Sequence, residues 1–597
     1  MKERVVLEVE LPRPVIKTKP YSRDLEQQGL DAGLHPIIAR VVASRSISSD
    51  VPLEHALFPK LKNLFSPFNM ADMEKAASRV ARAIIEGECI GFETDHDCDG
   101  QTSHAVLYHN LVHHFKHPKE KIRSYIGNRL TEGYGLSESV MMRILEDTPR
   151  AQLIITADNG SSDEARIKLL FEAGIDVIVT DHHEIPQEGL PVSAYACLNP
   201  TRSDCRYGDP YIAGCMVAWL LMTATRQKLI ALGHLSANTP TLLDSLDFVA
   251  VGTIADCVSI ARSINNRAVV SYGIKIIESG TRPCWRAIKT TLSGPLCSED
   301  LGFKIGPLLN SDGRLATAFG SVSFLLSETD EEAMAWLFAL QDSNQERKSI
   351  QQDIVLRGLK EAKCQLDQGR SSLCIYLEES HPGVHGIAAS RLKDIFGRPT
   401  AFIAPKVSTA NLVTGSVRGI EGFHVREALQ YVANQYPDLF IAFGGHKGAG
   451  GLTLKRENVV LFSKIFEEAA QLQLQNMRLE PVIWTEGVLE KAHFNLALVD
   501  ILSQLEPFGR EFESPIFECE AILRQLCFIG DGTHARVLLE IEGMRLKGVW
   551  FKLRQTTQSV VSVNVGDTVK VAFSVKANTF RNERTLDIHV VHMHLYP

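Results

Sequence analysis

The chain has 597 residues, 45% of them hydrophobic and 22% charged, with a formal net charge of −8. That length implies several domains, each able to bury an ordinary core, and the acidic balance excludes a surface built to bind polyanions throughout, though not a local basic footprint. Twelve cysteines without a C-x-x-C pair argue against a zinc ribbon and for reduced thiols. The start, Met1-Lys2-Glu3-Arg4, leads into no apolar run of signal or membrane-spanning length, so a soluble, cytoplasmic protein without a membrane partner is expected.

Residues 1–70 form an N-terminal extension in which Pro12, Pro14 and Pro20 exclude one continuous helix. Residues 71–86 predict an amphipathic helix with Ala76, Val80, Ile84 and Ile85 on one face. From Cys89 to Pro200 apolar runs alternate with helical stretches, the pattern of βαβ units on a parallel sheet. Three of these runs end in polar clusters. Ile90-Gly91-Phe92 leads into Asp95-His96-Asp97-Cys98-Asp99-Gly100, Leu153–Thr156 into Asp158-Asn159-Gly160, and Val177–Thr180 into Asp181-His182-His183. In an open α/β sheet the carboxyl ends of the strands form the ligand crevice, so the three clusters should converge. A helix is expected over Ala213–Leu232, stopped by Gly233, and Phe248–Asp256 closes this domain, residues 71–325, with another acidic turn.

Residues 329–366 read as one long helix inside a bridging segment, 326–366. Ala333, Trp336, Leu337 and Leu340 would pack at one end, whereas Gln341–Gln352 is almost wholly polar, as in a helix that spans two domains. A second α/β block, 367–472, opens at Leu373–Leu377 and contains Gly444–Gly451, either an anion nest of backbone N–H groups or a plain loop. Beyond Val482 the texture is β. Candidate strands at Phe517–Leu526, Ala535–Ile541, Leu546–Phe551, Thr568–Val575 and Thr585–Val591 fit an OB-type barrel over 478–597, with an SH3-like barrel as the alternative.

Asp97 and Asp99 lie two apart, so in an extended segment they share a face; the bland reading is an acidic helix cap. Asp158, the Asp181-His182-His183 triplet and Asp256 tip the balance towards a metal centre. Crowded carboxylates cannot all stay ionised without a cation between them, and imidazole among carboxylates suits a transition metal better than Ca²⁺. Two divalent ions in such a cluster point to phosphoester hydrolysis. His381 and His385 are four apart, but Pro382 and Gly383 intervene and the glutamate of a zinc protease is missing. Arg314 and Arg418 are expected in tight glycine-containing turns and suit either phosphate clamping or surface ion pairing.

On these residues the chain resembles the DHH phosphoesterases, whose four motifs are matched by Asp95–Gly100, Asp158, Asp181-His182-His183 and Asp256. Further segments resemble the RecJ branch, single-strand-specific 5′→3′ DNA exonucleases: Asn128–Leu136, Gly252–Asp256, Ile305–Asn310 with Gly313-Arg314, His381–Val384 with Gly386–Arg391, Gly415–Arg418 and Phe443–His446. The match runs in order from about residue 50 to 595. The resemblance implies a DHH catalytic domain, a DHHA-type substrate-binding domain and an OB-fold nucleic-acid-binding domain, forming a ring-like cleft threaded by single-stranded DNA.

It also implies two divalent ions, Mn²⁺ or Mg²⁺, bridged by Asp158, with Asp97 on one and Asp99, His182 and Asp256 on the other. The ions would acidify a water for in-line attack on phosphorus, releasing 5′-mononucleotides. Asp158, His182 and His183 would be the catalytic residues, and His183 would contact a phosphoryl oxygen or protonate the leaving group. Asp181 would orient His182, while Asp95 and Glu93, a position where many relatives carry histidine, are further possible ligands. Arg129, Asn310, Arg314, Arg391, Ser416, Arg418 and His446 would contact DNA; Arg314, Ser416 and Arg418 match the 5′-phosphate pocket, with Asp312 placing negative charge beside Arg314. In the barrel, Trp550 and Phe551 should face opposite sides, one packing inside and one stacking on a base, and Lys576, Phe580 and Arg581 should meet DNA near a hairpin tip. Family analogy adds a helicase and a single-strand-binding protein as partners of a monomer acting in DNA recombination and repair. The alternatives are an oligoribonuclease or nucleotide phosphatase of the same superfamily, or a non-catalytic DNA-binding relative. The extra length and barrel favour a polymer substrate, and the intact acidic motifs favour catalysis.

Overall fold

The computed structural model describes residues 11–45, 47, 53–292, 294–315, 319–407, 409, 411–475, 477–554, 561–580 and 583–596, apart from the side chains of 55, 56, 315 and 580. The chain divides into two compact units. Residues 45–345 with 505–513 make a parallel-sheet unit; the segment up to Ser44, residues 346–504 and residues 514–597 make a barrel-bearing unit. The first strand, β1 (Val15–Thr18), belongs to the second of these.

The parallel-sheet unit is built on β2 (Ile90–Thr94), β3 (Ile122–Ile126), β4 (Leu153–Ala157), β5 (Asp176–Thr180) and β6 (Ala196–Leu198). They lie in the order β3-β2-β4-β5-β6, every pairing parallel. β2 and β4 are buried along their whole length, which is why they read as apolar runs rather than alternating ones. The Met73–Glu86 helix buries Ala76, Val80 and Ile84 and ends at Gly87 in the left-handed region. Ile85 does not join that face. It is 45% exposed, because a residue one step past Ile84 is turned by about 100° around the helix. The expected helix after Ala213 runs over Gly214–Ala231. Phe248–Asp256 is no turn: Leu246–Ala255 is a buried helix and Asp256 is its C-cap.

Residues 505–513 are far in sequence from the rest of this unit, yet they hold one of its buried cations. Arg267, 1% exposed, donates to the carbonyls of Pro507 and Leu505 at 3.0 Å each and stacks over the Phe512 ring at 4.2 Å. Glu506 accepts from the Ser298 hydroxyl at 2.6 Å, and the Arg510 carbonyl accepts from the Ile260 N–H at 3.0 Å.

The long helix is continuous over Asp330–Asp367. Ala333, Leu337 and Leu340 are buried as expected, and the division between units falls at Gln345/Glu346, in its polar middle. Arg347 is the exception to that polarity pattern. It is buried, and its guanidinium bonds Gln351 one turn on at 3.0 Å.

In the barrel-bearing unit a mixed sheet is formed by β7 (Leu373–Tyr376), β8 (Thr400–Pro405), β9 (Leu412–Arg418), β10 (Phe440–Gly445) and β11 (Ala449–Lys455), in the order β10-β11-β9-β8-β7. Gly444–Gly451 is therefore neither nest nor plain loop but a β-hairpin, with Gly444 opposite Gly451 and Gly445 opposite Gly450. Glycine is required here because a Cβ on Gly445, at φ +139°, would lie 2.4 Å from the Ala449 carbonyl oxygen. β12 (Val482–Thr485) pairs in parallel with β1. The last five strands are β13 (Phe517–Ile529), β14 (His534–Ile541), β15 (Met544–Trp550), β16 (Thr568–Phe580) and β17 (Glu583–Leu595). They close as β13-β14-β15-β17-β16, the five-stranded OB architecture. No described helix is long and apolar enough to cross a membrane.

Candidate functional site

The acidic clusters converge at the carboxyl ends of β2, β4 and β5. After β2, Asp97 is the N-cap of the Cys98–His109 helix, its Oδ1 accepting from the N–H groups of Asp99 at 2.9 Å and Gly100 at 3.2 Å. The capping reading of Asp97 holds, and the cap uses one carboxylate oxygen and not the second. Gly100 has no room for a side chain: a Cβ there would sit 2.2 Å from the Asp95 carbonyl oxygen. Asp99 enters the first turn of that helix, and its carboxylate accepts from Gly214 N–H at 2.7 Å and Cys215 N–H at 2.9 Å. These are the first amides of another helix, whose dipole favours the anion.

Asp158 follows β4 with φ +65°, a left-handed backbone that costs a non-glycine residue roughly 1–2 kcal/mol. Its side chain is wedged against the backbone at Gly214, where a Cβ would approach Asp158 Cβ to 2.8 Å. His182 Nε2 lies 3.1 Å from Asp158 Oδ1, 3.5 Å from Asp256 Oδ2 and 3.9 Å from Asp99 Oδ2. Among the described residues neither Asp158 Oδ1 nor His182 Nε2 has a hydrogen-bond partner, although both are buried. Asp181 Oδ1 accepts from His183 Nδ1 at 2.7 Å, while it meets His182 only through the backbone N–H, also at 2.7 Å. The expected role of Asp181 is corrected accordingly: its carboxylate orients the His183 ring, not the His182 ring.

Charge in this crevice is strained. Burial, then the charges of Asp99 and Asp97, holds Asp158 well above the usual carboxylate range, and Asp256 is raised by the same causes. Asp97 is also raised, by burial and by Asp95 and Asp99. Burial and neighbouring His183 depress His182. Burial opposes charge on His183 too, but the Asp181 carboxylate outweighs it and lifts the ring to about 9. Ligand atoms of Asp95, Asp97 and Asp158 fall within 4.8 Å of one another, as do those of Asp99, His182 and Asp256, and of Asp158, His182 and His183. Buried ligand atoms without a hydrogen bond and mutually repelling carboxylates are what divalent cations would satisfy, and an oxygen-rich set with one or two imidazoles fits Mn²⁺ or Mg²⁺. Asp95 thereby joins the Asp97 group directly. Glu93 is buried on β2 and raised by burial and by Asp163 and Asp95, but it falls in none of these groups. Among the described residues one more group, His109, His114 and Asp244, has metal-like spacing. There the Arg282 guanidinium lies 3.1 and 3.3 Å from the two His109 ring nitrogens and takes the place of a cation.

The candidate DNA contacts fare unevenly. Arg129 sits close enough to Asp95 for its charge to lower that carboxyl. Asn310 Oδ1 accepts from the Cys98 N–H at 2.9 Å, so its amide oxygen supports the acidic loop. Arg314 lies on the Gly306–Leu315 helix and Arg418 at the end of β9, not in tight turns. Asp312 turns its carboxylate to the Gly320 N–H at 3.1 Å. Arg418 Nη1 donates to Ser416 Oγ at 2.7 Å, and Gly386 leaves the room: a Cβ there would meet Arg418 Nη2 at 2.9 Å and Ser416 Oγ at 3.1 Å. Arg391 is on the His385–Phe396 helix, and His446, in the β10–β11 turn, accepts from Gly448 N–H at 3.2 Å.

On the barrel, Trp550 is buried and Phe551 is 51% exposed, so Phe551 is the outward member of the pair and Trp550 the packing one. The Phe551 ring is flanked edge-on by His534 at 5.7 Å and His589 at 5.2 Å. Lys576 faces Asp587 across the β16–β17 ladder; Arg581 and the Phe580 side chain lie outside the described residues. Sequence reasoning missed Phe528, an exposed ring with the Arg554 guanidinium 3.8 Å above it, and Tyr134, whose hydroxyl reaches both Asp158 and His183. An aromatic just before the Gly530-Asp531-Gly532 turn was the available signal for the first.

Comparison with known proteins identifies the domains. The chain matches the DHH family N-terminal domain over residues 90–253, the DHHA1 domain over 370–472 and the RecJ OB domain over 485–592. It is 33% identical to the single-stranded-DNA-specific exonuclease RecJ of Haemophilus influenzae, over 93% of this chain and 96% of that protein. Crystal structures of RecJ from Thermus thermophilus share the fold. The complex with Mn²⁺ gives a TM-score of 0.76 at 22% identity, covering 98% of this chain and 80% of that one. The Mg²⁺ complex gives 0.71 at 21% identity, covering 98% and 78%. With a third of its residues shared with such a relative along almost the whole length of both chains, this protein belongs to the RecJ family of single-stranded-DNA-specific exonucleases.

Proposed function

We propose that the protein degrades single-stranded DNA from its 5′ end, releasing 5′-mononucleotides by metal-dependent phosphodiester hydrolysis in recombination and repair, as a cytoplasmic enzyme. The observation that carries this reading is the shared position of Asp158 between two ligand groups, with its buried oxygen unpartnered. Asp95, Asp97 and Asp158 would hold one divalent cation, and Asp158, Asp99, His182 and Asp256 the other. When bound, Mn²⁺ or Mg²⁺ supplies charge neutralisation at the phosphoester and acidifies water. The protein's own groups do the rest. Asp99 is fixed by helix amides, so its carboxylate needs no reorganisation. His183, held charged by Asp181, is suited to contact a phosphoryl oxygen or to give a proton to the departing 3′-oxygen.

Polarity would come from Arg418 with Ser416. A terminal phosphate carries about −2 charge by analogy with phosphorylated side chains, more than an internal diester, and a guanidinium beside a hydroxyl favours it by charge-assisted hydrogen bonds. Phe551, and Phe528 with Arg554, offer stacking platforms on the barrel. Lys552 adjoins Phe551 in sequence, within the positive field of Arg391 and Lys348, where a phosphate backbone would relieve the repulsion. Digestion of end-labelled single strands with Mn²⁺ or Mg²⁺ tests the proposal. Release of the 5′ label first is expected; release from the 3′ end, or equal rates on double strands, would overturn it.

A further inference from the structure

Tyr134 is placed where no acidic motif would draw attention to it. It sits at the tip of the 128–136 loop between two glycines in the left-handed region, Gly133 at φ +90° and Gly135 at φ +73°. The loop is firmly built. The Asn128 carbonyl accepts from the N–H groups of Glu132 at 2.7 Å, Thr131 at 3.2 Å and Gly133 at 3.3 Å. The Glu132 carboxylate accepts from the Asn128 N–H at 2.7 Å and pairs with Arg143 at 3.1 Å. On the far side, Asp163 Oδ2 accepts from Leu136 N–H at 3.0 Å and leaves no space for a side chain at Gly135, whose Cβ would meet that oxygen at 2.9 Å.

This scaffold delivers one hydroxyl to two places at once. Tyr134 Oη donates to the backbone carbonyl of Asp158 at 2.9 Å and lies 3.2 Å from both ring nitrogens of His183. Its ring packs edge-on to His183 with centroids 5.7 Å apart, and more than half of the residue is exposed. Asp158 is one of seven described non-glycine residues whose φ is positive, at +65°. Such a conformation persists only where its surroundings over-determine it. The Thr180 carbonyl holds the Asp158 N–H at 2.9 Å, and Tyr134 holds the carbonyl on the other side of the same residue.

We propose that Tyr134 is a positioning residue for the hydrolysis, its hydroxyl tying the left-handed backbone of Asp158 to the His183 ring so that carboxylate and imidazole are aligned before substrate arrives. This rests on the functional reading above, with Asp158 as the shared ligand. The hydroxyl acts from behind the ligand, as partners that orient metal-binding side chains do, and their loss lowers metal affinity or rate by about 10–100-fold. The exposed ring is a separate matter, because it could touch a nucleotide without any help from the hydroxyl.

Tyr134→Phe separates the two, since it removes the oxygen and keeps the ring. Full-length protein would be assayed for steady-state hydrolysis of a 5′-phosphorylated oligonucleotide. Mn²⁺ binding without DNA would be followed by titration calorimetry and by the Mn²⁺ paramagnetic resonance signal, and thermal unfolding would serve as the fold control. The expected result is a kcat about tenfold lower, Mn²⁺ bound about tenfold more weakly, and KM and Tm unchanged. Wild-type kcat and Mn²⁺ affinity in this variant would overturn the inference. A loss confined to KM would overturn it as well, by assigning the residue to substrate contact alone. Asp158→Ala, run in parallel, keeps the two levels apart. If it retains activity, the functional reading fails; if it is inactive while Tyr134→Phe behaves as wild type, only the tether fails.

Discussion

The two units treat charged groups in opposite ways. In the parallel-sheet unit, Asp95, Asp99, Asp158 and Asp181 are nearly inaccessible, and Asp158 and His182 each keep a buried polar atom without a hydrogen bond. In the barrel-bearing unit, Arg418 is bonded to Ser416, Arg554 lies over Phe528, and Phe551 faces outward. The first arrangement is unstable by itself and asks for a cation. The second sets its cations beside a hydroxyl and an aromatic ring and shows an exposed ring outward, a surface suited to a polymer. Chemistry and grip are therefore separable by substitution, and the size of each effect should follow the burial of the group removed.

The largest effect belongs to Asp158→Ala, which should reduce turnover by roughly 10²–10³-fold or more, the scale for removing a preorganised electrostatic group. Chelation with EDTA should do the same to the unmodified protein, and added Mn²⁺ should restore only the latter; a mutant near wild-type rate at saturating Mn²⁺ would break the metal assignment. His182→Ala should cost about 10–100-fold, partly recovered by raising Mn²⁺, because one ligand of one group is lost. Arg418→Ala should leave kcat near wild type and raise KM for 5′-phosphorylated strands by roughly tenfold, since a hydrogen bond to a charged group contributes about 1.5–3 kcal/mol. Its KM for 5′-hydroxyl strands should barely move, and an equal rise for both would remove the end-reading role. The smallest change is expected for Phe551→Ala. Loss of one base–aromatic stack should weaken anisotropy-measured binding of a long single strand by roughly fivefold or more. Binding of an abasic strand should be untouched.

Much of the catalytic unit was legible because its strands are buried on both sides and each ends in a polar cluster, so Asp95, Asp97, Asp99, Asp158, His182, His183 and Asp256 could be named from the sequence. Asp256 was named while its setting was misread: Phe248–Ala255 is almost wholly apolar, and a buried helix of that kind shows no periodicity that separates it from a strand. The glycine-rich hairpin failed for the converse reason. Glycines signal turns, yet Gly444, Gly445, Gly450 and Gly451 sit in paired strands, and at Gly445 and Gly450 the backbones approach too closely for side chains. Asp181 was given the wrong histidine because neighbours in sequence say nothing about which ring a carboxylate faces. Tyr134 lies in the Asn128–Leu136 segment that the family resemblance singled out, but its reach to Asp158 and His183, like that of Arg554 to Phe528, is a contact between residues distant in sequence that no local pattern announces.

Residues 505–513 have a consequence for how this protein can be taken apart. The chain leaves the parallel-sheet unit, builds the mixed sheet, and comes back for this short segment before starting the barrel. Those residues carry the Pro507 and Leu505 carbonyls that receive Arg267 and the ring that covers it. A fragment ending with the mixed sheet would strand a buried guanidinium, so a loss of activity on such a truncation would report unfolding rather than weaker grip on DNA. For the same reason the C-terminal part is not an interchangeable cassette. Any graft, fusion or natural shortening that removes the chain beyond the mixed sheet has to resupply this returning segment, much as a garment laced through a second panel cannot be shortened at the seam.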